Sequence, residues 1–322
     1  MQPAIGVDGG ALRANVAAFA ALGAPVAAVV KADGYGWGAR RLARELDPVV
    51  ESYVVADLDE LAALRPATEK PVRLLADAPP GRLGQVLDLG GIPAVSTRSA
   101  LAEAIGRADE RGGLTVRVGV VDGALWSAVP AAEIGAFAQA CAGTALRVEL
   151  WSHVTAPARA SAAQAALSAA RDAFARTGVT VAGVDLGSTA SASAGRTFDR
   201  LRIGVGLFGA RLGAPVATRC ALRVRAPLVR RLPPGAVAWA GYGDVPVPFD
   251  RSVSVLRCGY ADGLPMTLAG TGTILAVGMQ YTTRLDTPGD VELLIGADDD
   301  VDALAARAGI TPHALVVGLA KQ

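Results

Sequence analysis

The segment VVKADGYGWGA places Lys31 directly after an apolar, β-branched run, APVAAVV, and directly before glycines and a tyrosine. This spacing predicts an amine at the carboxyl end of a buried strand, facing the turn into the next helix. In a barrel of alternating strands and helices, that end of the strand is where chemistry is done. Apolar surroundings lower a lysine's proton affinity, and a neutral amine can condense with a carbonyl to form a Schiff base. Two readings stand at this point: a Schiff-base lysine, or a barrel-mouth lysine paired with a carboxylate such as Asp33. Elsewhere Tyr260 in RCGYADGLP supplies a phenol, Arg202 in RIGVGLFG a guanidinium, and His153 after LRVELWS an imidazole. GSTAS (187–191) offers hydroxyls and backbone N–H groups, which suit a bound phosphate or an ordinary helix cap.

Positioning these groups requires strands that alternate with helices. Short apolar runs fall at 26–30, 53–56, 72–76, 93–96, 114–120, 146–152, 183–187 and 203–209, with alanine-rich stretches of helical spacing between them. Examples of the latter are ADLDELAALR (56–65) and TRSALAEAIGRADERGG (97–113), whose closing glycines suit a helix end. Alternation of this kind implies a parallel sheet. Eight units in roughly 210 residues predict a closed (β/α)8 TIM barrel in preference to an open sheet, and no GxGxxG follows the first strand. Near residue 215 the helical spacing gives way to alternating segments: LRVRAPLVRRL (222–232), SVSVLRCGY (252–260), GTILAVG (272–278) and VELLIG (291–296). These predict a mostly antiparallel β-domain over 215–322, interrupted by a helix at VDALAARAG (301–309), after a barrel over 1–214. The DDD at 298–300 reads as a turn and helix N-cap.

Composition narrows the function class. With 52% hydrophobic residues, much of it alanine and valine, the 322-residue chain should pack a core of small side chains. The net charge of +1 comes from interspersed acidic and basic residues, and no basic stripe points to nucleic acid. No apolar run suggests a membrane span and MQPAIGVDGG lacks the form of a signal peptide, so a cytoplasmic protein is expected. Cys141, Cys220 and Cys258 are scattered and odd in number, as buried thiols in a reducing compartment would be. With two histidines in the chain, a histidine-rich metal site is not expected.

VVKADGYGWGA, the barrel pattern and the β-domain carrying RCGYADGLP together resemble the alanine racemase family. VDGGALRANV (7–16) is similar to the family's opening helix, VADLDELAALR (55–65) to its second unit, and RIGVGLFG (202–209) to its RPGIxLYG segment. The resemblance implies a homodimer with pyridoxal 5′-phosphate (PLP) on Lys31, acting on an amino acid or a derivative of one. It implies racemisation by two bases on opposite faces of the substrate: Lys31, and Tyr260 from the partner subunit. A tyrosine base needs its proton affinity lowered by neighbours to work near neutrality. The resemblance further implies that Arg202 faces the pyridine nitrogen, that His153 supports Arg202, and that the phosphate is held by Tyr35, Ser188 (with Thr189 beside it), Gly204 and Val205.

The chain also departs from the family. Where the family has a segment like KVDTGMxRLG, this chain has VRVGVVDGALWSAVP (116–130). Arg117 then stands at the lysine position, and Ala124 at the position of the arginine that binds the substrate carboxylate. A methyl group cannot replace a charge-assisted contact worth about 1.5–3 kcal/mol. Either Arg117 takes over the carboxylate, or the substrate carries none in that place. In the β-domain Met279 is retained as a substrate-site residue while Gln280 stands where aspartate is usual, and the chain ends at GLAKQ without the family's RVPR-type tail. Three activities remain open: an amino-acid racemase; another PLP reaction on this scaffold, such as decarboxylation, aldol cleavage, transamination or epimerisation; or a non-catalytic PLP-binding protein.

Overall fold

The structure is a computed structural model that describes residues 2–121, 127–154, 156–194, 199–241, 244–286 and 292–320. The chain opens with strand β1 (Ala4–Val7) and helix α1 (Gly9–Ala20). Asp8 starts α1 by accepting from Ala11 N at 2.8 Å, as an N-cap side chain does. The barrel then runs β2 (Val26–Val29), α2 (Ala39–Leu46), β3 (Ser52–Val55), α3 (Leu58–Leu64), β4 (Val72–Asp77), α4 (Leu83–Asp88), β5 (Gly91–Ala94), α5 (Arg98–Arg111), β6 (Leu114–Val121), α6 (Ile134–Cys141), β7 (Leu146–His153), α7 (Ala160–Arg176), β8 (Thr180–Gly187) and β9 (Arg200–Ile203).

These eight strands pair in parallel in chain order, and the ring closes where Arg202 of β9 lies opposite Ala27 of β2. The TIM barrel expected from the alternating pattern is the observed architecture. One strand is shifted from expectation. RIGVGLFG does not continue as a strand through 209; β9 ends at Ile203 and residues 205–208 form a tight 3₁₀ turn. Gly209, with φ +110°, ends that turn, and the apolar residues pack inward from it. Apolarity marks burial there, not extension.

Apart from a two-residue strand, Val129–Pro130, that runs parallel beside β6, the remaining strands form antiparallel sheets. β10 (Leu222–Arg225) is flanked by β1 and by a strand at Leu293–Ile295, so the chain's first strand joins the C-terminal sheet instead of the barrel. A four-stranded sheet holds β11 (Leu228–Leu232), a two-stranded hairpin holds β12 (Trp239–Ala240) and β13 (Val245–Pro246), and β14 (Val253–Leu256) sits between β11 and β16. β15 (Ile274–Val277) and β16 (Thr282–Leu285) complete the larger sheet, and β17 is the Leu293–Ile295 strand. The hairpin and β16 were not among the expected elements. α8 (Val301–Arg307) is capped by Asp300, which accepts from Ala303 N, as the DDD reading anticipates. A second helix, α9 (Pro312–Ala320), was not expected, and it turns out to matter for the site. Among the described residues no single helix is long and apolar enough to cross a membrane.

One apolar core joins α1, α2 and α3 to the β-domain and to α8 and α9, including Phe19, Leu46, Phe208, Leu264 and Leu315. A second lies under α5, α6 and α7. The three cysteines are buried and unpaired by disulfides, as their scatter suggests.

The barrel's interior is charged where most such barrels are aliphatic. Near the amino ends of the strands Arg73 holds Glu149 with two hydrogen bonds, at 2.7 and 3.1 Å, and Arg200 reaches the same carboxylate at 3.4 Å. Midway up, Arg117 and Asp185 pair at 2.8 Å with neither exposed. Above them Ala27, Val29, Val54, Leu75 and Trp151 form an apolar floor. Lys31 stands above that floor, at the carboxyl end.

Candidate active site

β2 delivers Lys31 to the barrel mouth, and the turn after it has an unusual backbone. Ala32, Asp33, Gly34 and Tyr35 all have φ between +49° and +66°. A left-handed run of this kind costs a non-glycine residue roughly 1–2 kcal/mol. The surroundings fix it. Ala32 N donates to Glu60 Oε1 at 2.6 Å, Ala39 N donates to Asp33 Oδ1 at 2.7 Å, and Trp37 Nε1 donates to Val316 O at 3.1 Å. Strain held in place by its surroundings is characteristic of functional sites.

Lys31 borders one cavity with Val29, Tyr35, Leu75, His153, Ser188, Thr189, Arg202, Gly204, Val205 and His313. Lys31, Tyr35, His153, Ser188, Arg202, Gly204 and Val205, expected together from the sequence, thus converge here. Burial first, and then the charge of Arg202, push the Lys31 amine below its usual proton affinity, while Glu60 opposes them. The carboxylate acting on the lysine is Glu60. Asp33, the partner considered from the sequence, caps the helix behind the turn through Ala39 N.

Arg202 is nearly fully buried. Nη2 donates to Ser152 O, Nε lies 3.0 Å from Asp185 Oδ1, and the guanidinium carbon sits 4.8 Å from the centre of the Trp151 ring. The Arg202–Asp185 contact is short enough for an ion pair but misaligned for a hydrogen bond. A Cβ added to Gly187 would fall on the Arg202 guanidinium, so a side chain there would displace Arg202 from this position. Burial, then the positive charges of Arg202, Lys31 and His313, push His153 down to about 4, which keeps its ring neutral near pH 7.

The other side of the cavity is suited to an anion. Tyr35 is buried with its hydroxyl against Gly204, where a Cβ would collide with it, and burial keeps the phenol protonated as a donor. Ser188, in the strained conformation φ +142°, bonds Val154 O at 2.6 Å. Thr189 Oγ1 accepts from Gly206 N at 3.0 Å and so locks the turn that carries Gly204 and Val205.

Sequence reasoning missed His313. It reaches the cavity from α9, with its ring 6.2 Å from that of Tyr35. Burial and the nearby Lys31 lower its proton affinity. Its one sequence signal was scarcity: both of the chain's histidines border this one cavity.

Three expected residues stand elsewhere. Arg117 is fully buried below the floor, donating to Leu74 O at 2.9 Å and to Asp185 at 2.8 Å, with Glu149 at 3.7 Å. It is not among the cavity-lining residues. Its side chain leaves β6 four residues before the strand's end, about 13 Å short of the mouth at 3.3 Å per residue. That placement does not fit the substrate-carboxylate contact expected of it. Ala124 lies outside the described residues. Tyr260 and Met279 are on the β-domain surface, 39% and 53% exposed, and their loops are tied by Tyr260 N donating to Gly278 O and Ala261 N to Met279 O, both at 3.0 Å. Arg257 braces that turn through Asp262 at 2.9 Å. Among the described residues no cluster of histidine, cysteine and carboxylate could hold a metal ion.

The fold is that of a (β/α)8-barrel enzyme, with a strand-end lysine in the cavity at its mouth. Residues 7–212 match the family described as "Alanine racemase, N-terminal domain". An alanine racemase of Acidiphilium cryptum is 32% identical over 99% of this chain and 96% of its own length. One of Desulfovibrio desulfuricans is 28% identical over 91% of this chain and 88% of its own length. Among solved structures, alanine racemase from Acinetobacter baumannii superposes with a TM-score of 0.82 at 18% identity, covering 100% of this chain and 98% of that one. That from Bartonella henselae, solved with covalently bound pyridoxal phosphate, gives 0.77 at 19% identity, covering 99% and 97%. The chain belongs to the alanine racemase family.

Proposed function

We propose that this protein is a PLP-dependent racemase of amino acids. The observation that carries the reading is the convergence on one cavity of a lysine of depressed proton affinity and an anion cradle built from Tyr35, Ser188, Gly204 and Val205. These groups fit a carbonyl-bearing phosphate cofactor: an amine for the carbonyl, donors and backbone N–H groups for the phosphate, and the Arg202 guanidinium for the ring. PLP, when bound, makes the substrate α-proton acidic by spreading the resulting negative charge into its ring system.

The chain's own residues then have defined jobs. Lys31 would hold the cofactor through its amine and would exchange the α-proton on one face of the substrate. Its lowered proton affinity favours the neutral amine. Tyr260 of a second copy of the chain serves the other face, so one proton leaves the α-carbon and another returns to the opposite side. Arg202, a permanent cation lining the cavity, would face the cofactor's ring nitrogen as a donor that gives up no proton, and so would restrain charge build-up in the ring. His153, neutral, backs it. Tyr35 remains a protonated donor to the phosphate, with His313 beside it. Val29 and Leu75 keep water from beneath the reacting atoms.

The substrate is the finer question. With Arg117 sequestered below the floor, its guanidinium engaged by Asp185 and Leu74 O, a carboxylate contact has to come from another residue. A different PLP reaction on the same lysine remains the second reading, and this sequestration is the observation that favours it. The discriminating experiment incubates the PLP-loaded protein with a panel of L- and D-amino acids in heavy water. Deuterium at the α-carbon together with the opposite enantiomer is the expected result. Exchange without inversion, or none, would transfer the assignment to the second reading.

A further inference from the structure

Asp185 is fully buried in the middle of the barrel, and the proposed chemistry gives it no task. Its two oxygens address two guanidiniums: Oδ2 accepts from Arg117 Nη2 at 2.8 Å, and Oδ1 lies 3.0 Å from Arg202 Nε. Both guanidiniums also face the Trp151 ring, at 5.4 and 4.8 Å from its centre. Placing a carboxylate and two guanidiniums in a barrel core costs several kcal/mol per ion in lost hydration, and an aliphatic filling of equal volume is often at least as stable. The arrangement therefore does not follow from a need for stability.

Its direction follows from which member reaches the cavity. Of the three, Arg202 alone lines it. Arg117 stands behind Asp185, and Asp185 stands behind Arg202, so the carboxylate faces the guanidinium from the side away from the cavity. Gly187 clears the space Arg202 occupies and Trp151 floors it. What Asp185 adds is a negative charge against the one cation of the cavity wall that cannot be titrated.

We propose that Asp185 is a positioning residue, which pins Arg202 at the cavity wall, partly offsets its charge, and thereby sets the proton affinity of the Lys31 nitrogen and of the cofactor bound there. The proposal rests on the PLP reading. The titratable and charged groups around Lys31 are Arg202 on β9, Glu60 on α3, His153 on β7, His313 on α9 and Tyr35 on its own turn. Asp185 acts on Lys31 through the first of these. The charge of Arg202 already disfavours protonated Lys31, and removing Asp185 leaves that charge less compensated.

The test is a pH titration of the visible absorbance of the PLP-loaded protein, for wild type and for Asp185→Asn, which keeps the shape and removes the charge. The midpoint should fall by about one pH unit, the smaller end of what a neighbouring charge does. In an Arg202→Gln background the same Asp185→Asn change should move the midpoint much less, because the positioning of Arg202 is gone and only the direct field of Asp185 remains; a merely structural role would not produce that difference. If Asp185→Asn alone does not fold, Asp185→Asn with Arg117→Gln removes the stranded guanidinium as well, and should show a fall in the same direction but smaller, because the more distant positive charge of Arg117 goes with the carboxylate. Coincident titrations for wild type and a folded variant would overturn the role of Asp185 and leave the cofactor reading intact. A wild-type protein with no visible absorbance in the presence of PLP would overturn the cofactor reading itself.

Discussion

Residue by residue, the site divides its work between groups that titrate and groups that do not. Lys31 and His153 are both pushed toward neutrality by burial and by Arg202, and Arg202 itself stays charged. For stability the sign follows from linkage. A histidine whose affinity is lowered in the folded protein, to about 4 from the ordinary 6.5, binds fewer protons than its unfolded counterpart between those values. Its neutral form is accommodated above pH 6.5, and stability is lost as pH falls from there toward 4, at up to about 1.4 kcal/mol per unit. Urea unfolding at pH 7 and pH 5 should therefore show a smaller acid loss in His153→Asn than in wild type. Equal losses would show that His153 is not held neutral by the fold. On the catalytic side, Tyr260→Phe should lose racemisation in both directions but keep α-deuterium exchange without inversion for the enantiomer whose proton Lys31 removes, and lose it for the other. Equal loss of exchange for both hands would remove its assigned face.

Elements explain why some of the site was legible and some was not. Lys31 could be placed at the barrel mouth because an apolar strand is followed by glycines, whereas His153 and Ser188 were assigned through the resemblance to the family, each sitting at or just past a strand's end. Arg117 could not be placed. Its inward direction follows from strand alternation, but its depth does not, and depth decides whether a guanidinium meets substrate or Asp185. The eighth strand was misplaced because IGVGLFG (203–209) is apolar throughout, and a buried 3₁₀ turn and a buried strand have the same composition. His313 was missed because nothing in ITPHALVV ties α9 to a lysine nearly 300 residues earlier; the tie is the Trp37–Val316 hydrogen bond and the packing of the left-handed turn on α9. That turn supports a prediction of its own. Ala32 is exposed with φ +53°, so Ala32→Gly removes the steric cost without removing a packed side chain. It should raise unfolding stability by about 0.5–1 kcal/mol. Destabilisation would mean that the conformation is not strained in the folded protein.

For the whole molecule, the β-domain has two separate roles. Through α9 it completes the cavity of its own barrel, where His313 stands. Through the Tyr260 and Met279 turns it presents a phenol and a thioether on its surface, with Met266 and Tyr281 also exposed nearby in sequence. If these turns complete the site of a second copy, each site draws Lys31 from one chain and Tyr260 from the other. Mixing inactive Lys31→Ala with inactive Tyr260→Phe, then allowing subunits to exchange, should restore activity. Half of the dimers would be mixed, each with one intact site of two, so recovery should approach about a quarter of wild type. No recovery despite demonstrated exchange would place both residues in one chain's site, or neither.

If the chemistry of this barrel begins at the Lys31 nitrogen, borohydride treatment of the PLP-loaded protein, followed by proteolysis and mass analysis, will show it. The visible absorbance should bleach, and a reduced pyridoxyl adduct should be found on the peptide carrying Lys31 and be lost in Lys31→Ala. An adduct on another lysine, or none in a protein that has been shown to bind PLP, would contradict the account.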